Sequence, residues 1–123
     1  MNALELINIG EKKLRQKKIE SFRLDSELLL SKILNKKREK ILINLDQKIS
    51  KKNFFMYRRL IQRRSKNEPI AYIMEEKEFW SKNFFVNRDT LIPRPETELM
   101  IEEIIEIFKK KRISILDLSL IHI

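Results

Sequence analysis

Cysteine is absent from the 123 residues, so disulfides and thiolate metal sites are excluded, a usage that fits a reducing compartment and sets a cytoplasmic expectation. Glycine occurs once, as Gly10. Doubly wound α/β enzymes place glycines where backbone must approach a ligand, and after Gly10 this chain offers no such position. No apolar run reaches the roughly 20 residues that a membrane span needs, so no membrane partner is expected. Met1 to Gly10 is too short and too acidic for a signal peptide. The only histidine, His122, has no metal-ligating partner at a useful spacing and is expected to be inert. Proline occurs three times and tryptophan once, and all four fall between Glu68 and Glu98.

Charge is plentiful but uneven. Residues 1 to 70 carry 19 Lys/Arg against 8 Asp/Glu, whereas residues 71 to 123 carry 8 against 10, so the net charge of +9 belongs to the first half. A basic half favours a nucleic-acid neighbourhood. The Lys, Ile and Asn richness with only two alanines, the signature of an AT-rich genome, accounts for it more simply. Nucleic acid therefore stays a possible partner that is not favoured.

The first half reads as helices. Asn2 and Glu5 form a capping-box start, with Leu4, Ile7 and Leu14 on one face, widened by Leu6 and Ile9, and an end near Lys18. Ser21 is placed to cap a second helix whose apolar side is Leu24, Leu28 and Leu30 to Leu34 and which ends at Asn35. Lys37 to Asn44 reads as a shorter third helix, with Ile41, Leu42 and Leu45 apolar and its K-K-R-E-K run solvated. Ser50 opens a fourth that runs to about Lys66, with Phe54, Tyr57 and Ile61 recurring at core spacing and Arg58, Arg59, Arg63 and Arg64 forming a basic strip opposite. Short loops join single-stripe helices, which predicts a small antiparallel helical bundle over residues 1–68.

The next stretch, E-P-I-A-Y-I-M-E-E-K-E-F-W-S-K-N-F-F-V-N-R-D-T-L-I-P-R-P-E-T-E, breaks that pattern. Pro69 to Met74 reads as one helical turn. Phe79-Trp80 and Phe84 to Val86 are β-prone runs separated by Ser81-Lys82-Asn83, which predicts a hairpin with a three-residue loop. Ile92 and Arg94 precede prolines and are pushed toward extended backbone. Pro95 suits the first position of another helix, with Glu96 and Glu98 in its first turn and Lys109 to Lys111 at its end. Its apolar side is Met100 or Ile101, Ile104, Ile105 and Phe108, and Ile113 to Leu118 reads as a buried parallel strand. Glu75, Glu76 and Glu78 are better explained by a solvated loop than by acid/base work.

The ordered blocks S-F-R-L-D-S-E-L-L-L, E-P-I-A-Y-I, E-F-W, F-x-V, L-I-P-R-P-E-T-E and I-L-D-L resemble the protein-(glutamine) methyltransferases that modify peptide chain release factors. The resemblance covers all but the last five residues. It implies a mostly α chain: a substrate-recognition bundle (1–68), a short helix and β-hairpin linker (69–94), and the truncated first helix and strand of a Rossmann-like α/β methyltransferase domain (95–123). It also implies S-adenosylmethionine as cofactor, the glutamine of a G-G-Q motif as target and a release factor as partner. Leu91, Pro93, Arg94, Pro95 and Glu96 match the loop that borders the family's active-site cleft. Arg58, Arg59, Arg63, Arg64, Phe79 and Trp80 are the expected partner surface.

The family's glycine-rich cofactor loop would follow Asp117-Leu118, where this chain instead reads S-L-I-H-I, and the N-P-P-Y motif that orients the target amide is missing. No catalytic or cofactor-binding residue carries over, so the chain by itself is expected to be inactive and to bind no cofactor. Two alternatives stay open: a fragment of the enzyme that methylates a ribosomal-protein glutamine, which shares the linker motif, and a basic helical nucleic-acid-binding module.

Overall fold

The computed structural model describes residues 1–117, and among these the chain is mostly helical, with six helices and one two-stranded antiparallel sheet. The first helix, α1 (Ala3–Gln16), starts on the expected capping box: Glu5 N–H donates to Asn2 Oδ1 (2.9 Å) and Asn2 N–H donates to Glu5 Oε2 (3.1 Å). Its buried face is Ala3, Leu6, Ile7, Gly10 and Leu14. Leu4 and Ile9, expected in that face, are exposed, because a 3.6-residue period through positions 3, 7, 10 and 14 puts them on opposite flanks.

In α2 (Phe22–Leu34) Ser21 stands at the N-cap, but its hydroxyl donates to Asp25 Oδ2 (2.7 Å) instead of accepting from the backbone. Leu29 and Leu30 are fully buried and Leu24 is exposed, which shifts the apolar side from the expected one. Asn35 ends the helix in the left-handed region (φ 51°), a conformation asparagine tolerates. The third helix, α3 (Arg38–Leu42), is shorter than expected and buries only Ile41. Ser50 caps α4 (Lys51–Ser65) by accepting from Asn53 N–H (3.2 Å), and Tyr57 and Ile61 are buried with Phe54 packed beside them.

α1 lies against α2 and α4, and α2 also against α3 and α4, so one core holds Leu6, Leu14, Leu29, Leu30, Ile41 and Tyr57. The start of α1 is tied to the α3–α4 connection by Ala3 N–H to Gln47 O (3.0 Å) and Ile49 N–H to Met1 O (2.9 Å).

Pro69 caps α5 (Ile70–Met74), which buries Ala71 and Ile73 and packs on α2 and α4. The hairpin that follows, β1 (Glu76–Phe79) and β2 (Lys82–Phe85), pairs Phe79 with Lys82. Its turn is therefore Trp80-Ser81 and not the expected three-residue loop. Both turn residues have positive φ (51° and 58°), the two-residue geometry whose twist matches that of the flanking strands. Phe79 and Phe84, diagonal neighbours in this register, meet edge to face with centroids 6.3 Å apart.

Pro95 opens α6 (Pro95–Ile107), with Glu96 and Glu98 in its first turn as expected. The helix stops before Lys109 to Lys111, so those lysines lie beyond it, and α6 buries none of its residues. Ile113 to Asp117 form no strand, because no neighbouring strand among the described residues offers them a ladder. Leu118 and the residues after it, His122 included, lie outside the described residues.

Candidate functional site

The junction between the bundle and the stretch expected to be a linker is built around Glu68, at the end of the α4–α5 connection. Arg63 of α4 reaches it with both Nε (2.8 Å) and Nη2 (2.7 Å), a bidentate guanidinium–carboxylate pair. Arg88, from the loop after the hairpin, approaches the same carboxylate at 3.6 Å. Hydrogen bonding from Arg63 holds the Glu68 carboxyl below the usual carboxylate range, with the charges of Arg63 and Arg88 adding to the effect against the opposing pull of partial burial. The same bonds raise Arg63 above its ordinary value.

Arg64, one residue on, turns the other way. Its Nε donates to Asp25 Oδ2 (2.8 Å) and its Nη1 to the Glu68 carbonyl (3.0 Å), with the Asp25 side chain only 2% exposed. Ser21 Oγ donates to the same Oδ2 (2.7 Å). Removing one partner of a pair buried this way would leave the other charge uncompensated, so α2, α4 and the start of the linker are joined at one point.

The linker is braced again further on. Tyr72 of α5 donates its hydroxyl to Thr90 O (2.9 Å), Val86 N–H donates to Glu75 O (3.3 Å), and Val86 is buried. Asn87 and Thr90 close a local turn through Asn87 N–H to Thr90 Oγ1 (2.8 Å) and Asp89 N–H to Asn87 Oδ1 (2.9 Å). These bonds present the segment carrying the expected wall residues. Leu91 is 70% exposed, Pro93 is half-buried, and Arg94, Pro95 and Glu96 are exposed at the start of α6, with Arg94 as its extended N-cap. From α6, Glu98 Oε1 accepts the Trp80 backbone N–H (2.8 Å) and so ties the hairpin turn to the helix that follows Leu91 to Arg94.

The expected partner surface separates into parts. Arg58 and Arg59 are exposed, and Arg58 lies over the Phe54 ring at 5.7 Å from its centroid. Arg63 and Arg64 are committed to Glu68 and Asp25, so the four arginines do not form one strip. Phe79 is half-buried, and Trp80 is partly exposed at the turn. Asp25, Glu68 and Tyr72 had no role assigned from the sequence, and Glu98 only a place in the first turn of α6, although all four fall inside the quoted blocks. For Asp25 and Glu68 the signal was a carboxylate at a buried helical position and one directly before proline.

Among the described residues no group of three or more His, Asp or Glu is placed to hold a metal ion, and no helix is long and apolar enough to cross a membrane. The arrangement can position and present a surface.

A family model described as PrmC N-terminal domain matches residues 5–74. The release factor glutamine methyltransferase of Leptospira interrogans is 43% identical over 106 residues, which are 86% of this chain and 37% of that protein. The enzyme of the same name from Buchnera aphidicola of Schizaphis graminum is 45% identical over 100 residues, 81% of this chain and 36% of its own length. A bifunctional methyltransferase of Rickettsia felis is 39% identical over 98 residues, 80% of this chain and 19% of its own. The chain thus spans little more than a third of the length of the release factor methyltransferases it matches. By the match of residues 5–74 and these identities over most of its length, the chain belongs to the release factor glutamine methyltransferase family, of which it carries the PrmC N-terminal domain.

Proposed function

We propose that this chain is the substrate-recognition part of a protein-glutamine methyltransferase, and that it binds a peptide chain release factor without itself transferring a methyl group. The parent activity would be transfer from S-adenosylmethionine to the glutamine of the release factor's G-G-Q motif. The stretches 1–68, 69–94 and 95–123 then correspond to recognition domain, linker and the beginning of the methyltransferase domain. Leu91, Pro93, Arg94, Pro95 and Glu96 form the substrate-side wall, Arg58 and Arg59 steer the partner, and Phe79 and Trp80 contribute apolar contact.

One observation carries this reading. The Glu68 junction and the Tyr72–Thr90 bond fasten the wall segment to the bundle, so a partner held by the bundle meets the wall at a fixed position. Positioning of this kind is what amide methylation demands, since an amide nitrogen is a poor nucleophile that must be aimed.

The residues of this chain do not fit the cofactor. Ile113 to Asp117 form no strand from which a cofactor loop could spring, and the sequence holds no glycine beyond Gly10 to let backbone approach a ligand. Calorimetry with micromolar S-adenosylmethionine is expected to show no saturable heat.

The test is binding of a release factor to the wild-type chain at low salt. A dissociation constant of roughly tens of micromolar or weaker, rising with salt, is expected of such a partial interface. Trp80→Ala should speed dissociation, with circular dichroism excluding loss of the hairpin. No binding at high micromolar release factor would end this reading, and preference for a ribosomal protein would move the substrate to that class.

A further inference from the structure

Between α1 and α4 lies a groove of about 490 Å³, within the roughly 300–1,000 Å³ of ordinary ligand pockets. Its floor is the buried pair Tyr57 and Ile61, and its apolar walls are Ile9 and Phe55, which are 39% and 58% exposed. Its rim carries Lys13, Arg58 and Arg59, and no carboxylate lines it. None of these three cations makes an ion pair among the described residues, unlike Arg63 and Arg64 on the same helix. No residue of the hairpin or of the Leu91 to Glu96 segment lines the groove.

We infer that this groove is a docking site for an amphipathic helix of a protein partner that carries acidic residues beside its apolar face. Two packed helices with an apolar trough between them seat a third helix through side chains at i, i+3 or i+4, and i+7. Phe55 and Ile9 supply the apolar contact. Lys13 on one side and Arg58 and Arg59 on the other then stand where glutamates flanking that face would lie. The charge complementarity selects the partner's sign, and a single accessible aromatic, Phe55, with Tyr57 fully buried, falls short of the run of stacking platforms that bases need, which selects side chains. The inference rests on reading the chain as a protein-recognition domain, and it adds the chemistry that this face of the partner presents.

The probe is a fluorescein-labelled helical peptide with leucines at i, i+4 and i+7 flanked by glutamates, titrated with the full chain and followed by anisotropy. Saturable binding that weakens with salt is expected. Arg58→Glu/Arg59→Glu should weaken it by tenfold or more, as should Phe55→Ser. All three side chains are exposed, so the fold should survive, and an unchanged thermal melt checks this. Equal affinity for a peptide with lysines in place of the glutamates would overturn the inference, and so would tighter binding of a single-stranded RNA. Dimerisation of the chain in sedimentation, abolished by the same arginine substitutions, would overturn it too by making a second copy's acidic α6 the occupant. Release factor binding measured on the same variants keeps the two readings apart. A release factor that binds wild type and Phe55→Ser equally leaves the recognition reading standing and removes the groove, whereas peptide capture without release factor binding does the reverse.

Discussion

The Tyr57 hydroxyl occupies the space that any side chain at Gly10 would need, with Ile61 Cδ1 and Ser26 Oγ at 2.9 and 3.1 Å from the position of such a Cβ. The same hydroxyl donates to Ser26 O (3.1 Å), so α1, α2 and α4 meet at one point. Burial pushes the Tyr57 phenol above its ordinary range, and it stays a neutral donor there at all ordinary pH values.

Gly10→Ala should therefore destabilise the bundle by about 1–3 kcal/mol through overpacking, even though alanine is the better helix former. Tyr57→Phe alone should cost about 0.5–1.5 kcal/mol for the lost hydrogen bond. The double variant should be less destabilised than the sum, because removing the hydroxyl relieves the clash. Thermal melts of the four proteins complete the cycle, and strict additivity would show that the helices part without meeting the hydroxyl.

The two pairs of arginines should respond differently to truncation. Arg64→Ala leaves Asp25 buried with only Ser21 as partner, and a loss of about 3–5 kcal/mol is expected. Arg58→Ala lies on the surface and should stay within about 0.5 kcal/mol of wild type. Urea denaturation distinguishes these outcomes, and equal effects would mean that the Asp25 pair is not formed in solution.

Acid should weaken the junction at Glu68. The folded-state value of Glu68 lies below its unfolded one, so its contribution to stability is complete above the ordinary carboxylate range and is lost as pH falls through the depressed folded value. Arg63 is 45% exposed, so solvent screens the pair and the effect is modest. Glu68→Gln should lower stability at neutral pH and reduce its dependence on pH in the acid range. An acid limb unchanged in slope would place the titration elsewhere.

Ser81 holds φ 58° without being glycine, a conformation that costs about 1–2 kcal/mol for an L-residue. Ser81→Gly should relieve part of this and strengthen the hairpin, after allowance for glycine's greater freedom in the unfolded chain. Hydrogen exchange should slow in residues 76–85 and stay unchanged in 51–65. Across the wild-type chain the same measurement should find slow amides in α1 and α4 and fast ones in α6, which buries none of its residues.

What could be read from the residues was what depends on near neighbours. Asn2 with Glu5, Ser50, Asn35 and Pro95 each mark a helix boundary through bonds made within a few positions, and the structure has those boundaries. Contacts between distant residues were not legible. The turn was misplaced by a residue because Trp80 favours strands, while its backbone N–H is held in the turn by Glu98 of α6. The arginine strip failed likewise, since a helical period gives a side chain's direction but cannot reveal Asp25 or Glu68 waiting there. For Ile113 to Asp117, β-propensity pointed to a strand, and a strand exists only beside another. Of the candidate site, the segment Leu91 to Glu96 was singled out by its resemblance to the family's motif, whereas the bonds that brace it were invisible in the sequence.

The chain's only tryptophan is the first residue of that hairpin turn, bonded through its backbone to α6, while the bundle core contains no indole. Excited at the red edge of its absorption, where tyrosine is dark, the protein therefore emits from the joint between hairpin and α6 alone. Helical dichroism, by contrast, draws most of its signal from α1, α2 and α4, with α6 contributing about as much as α2. The two signals watch different parts of one molecule, and any gap between their unfolding curves measures how much sooner the joint lets go than the bundle behind it.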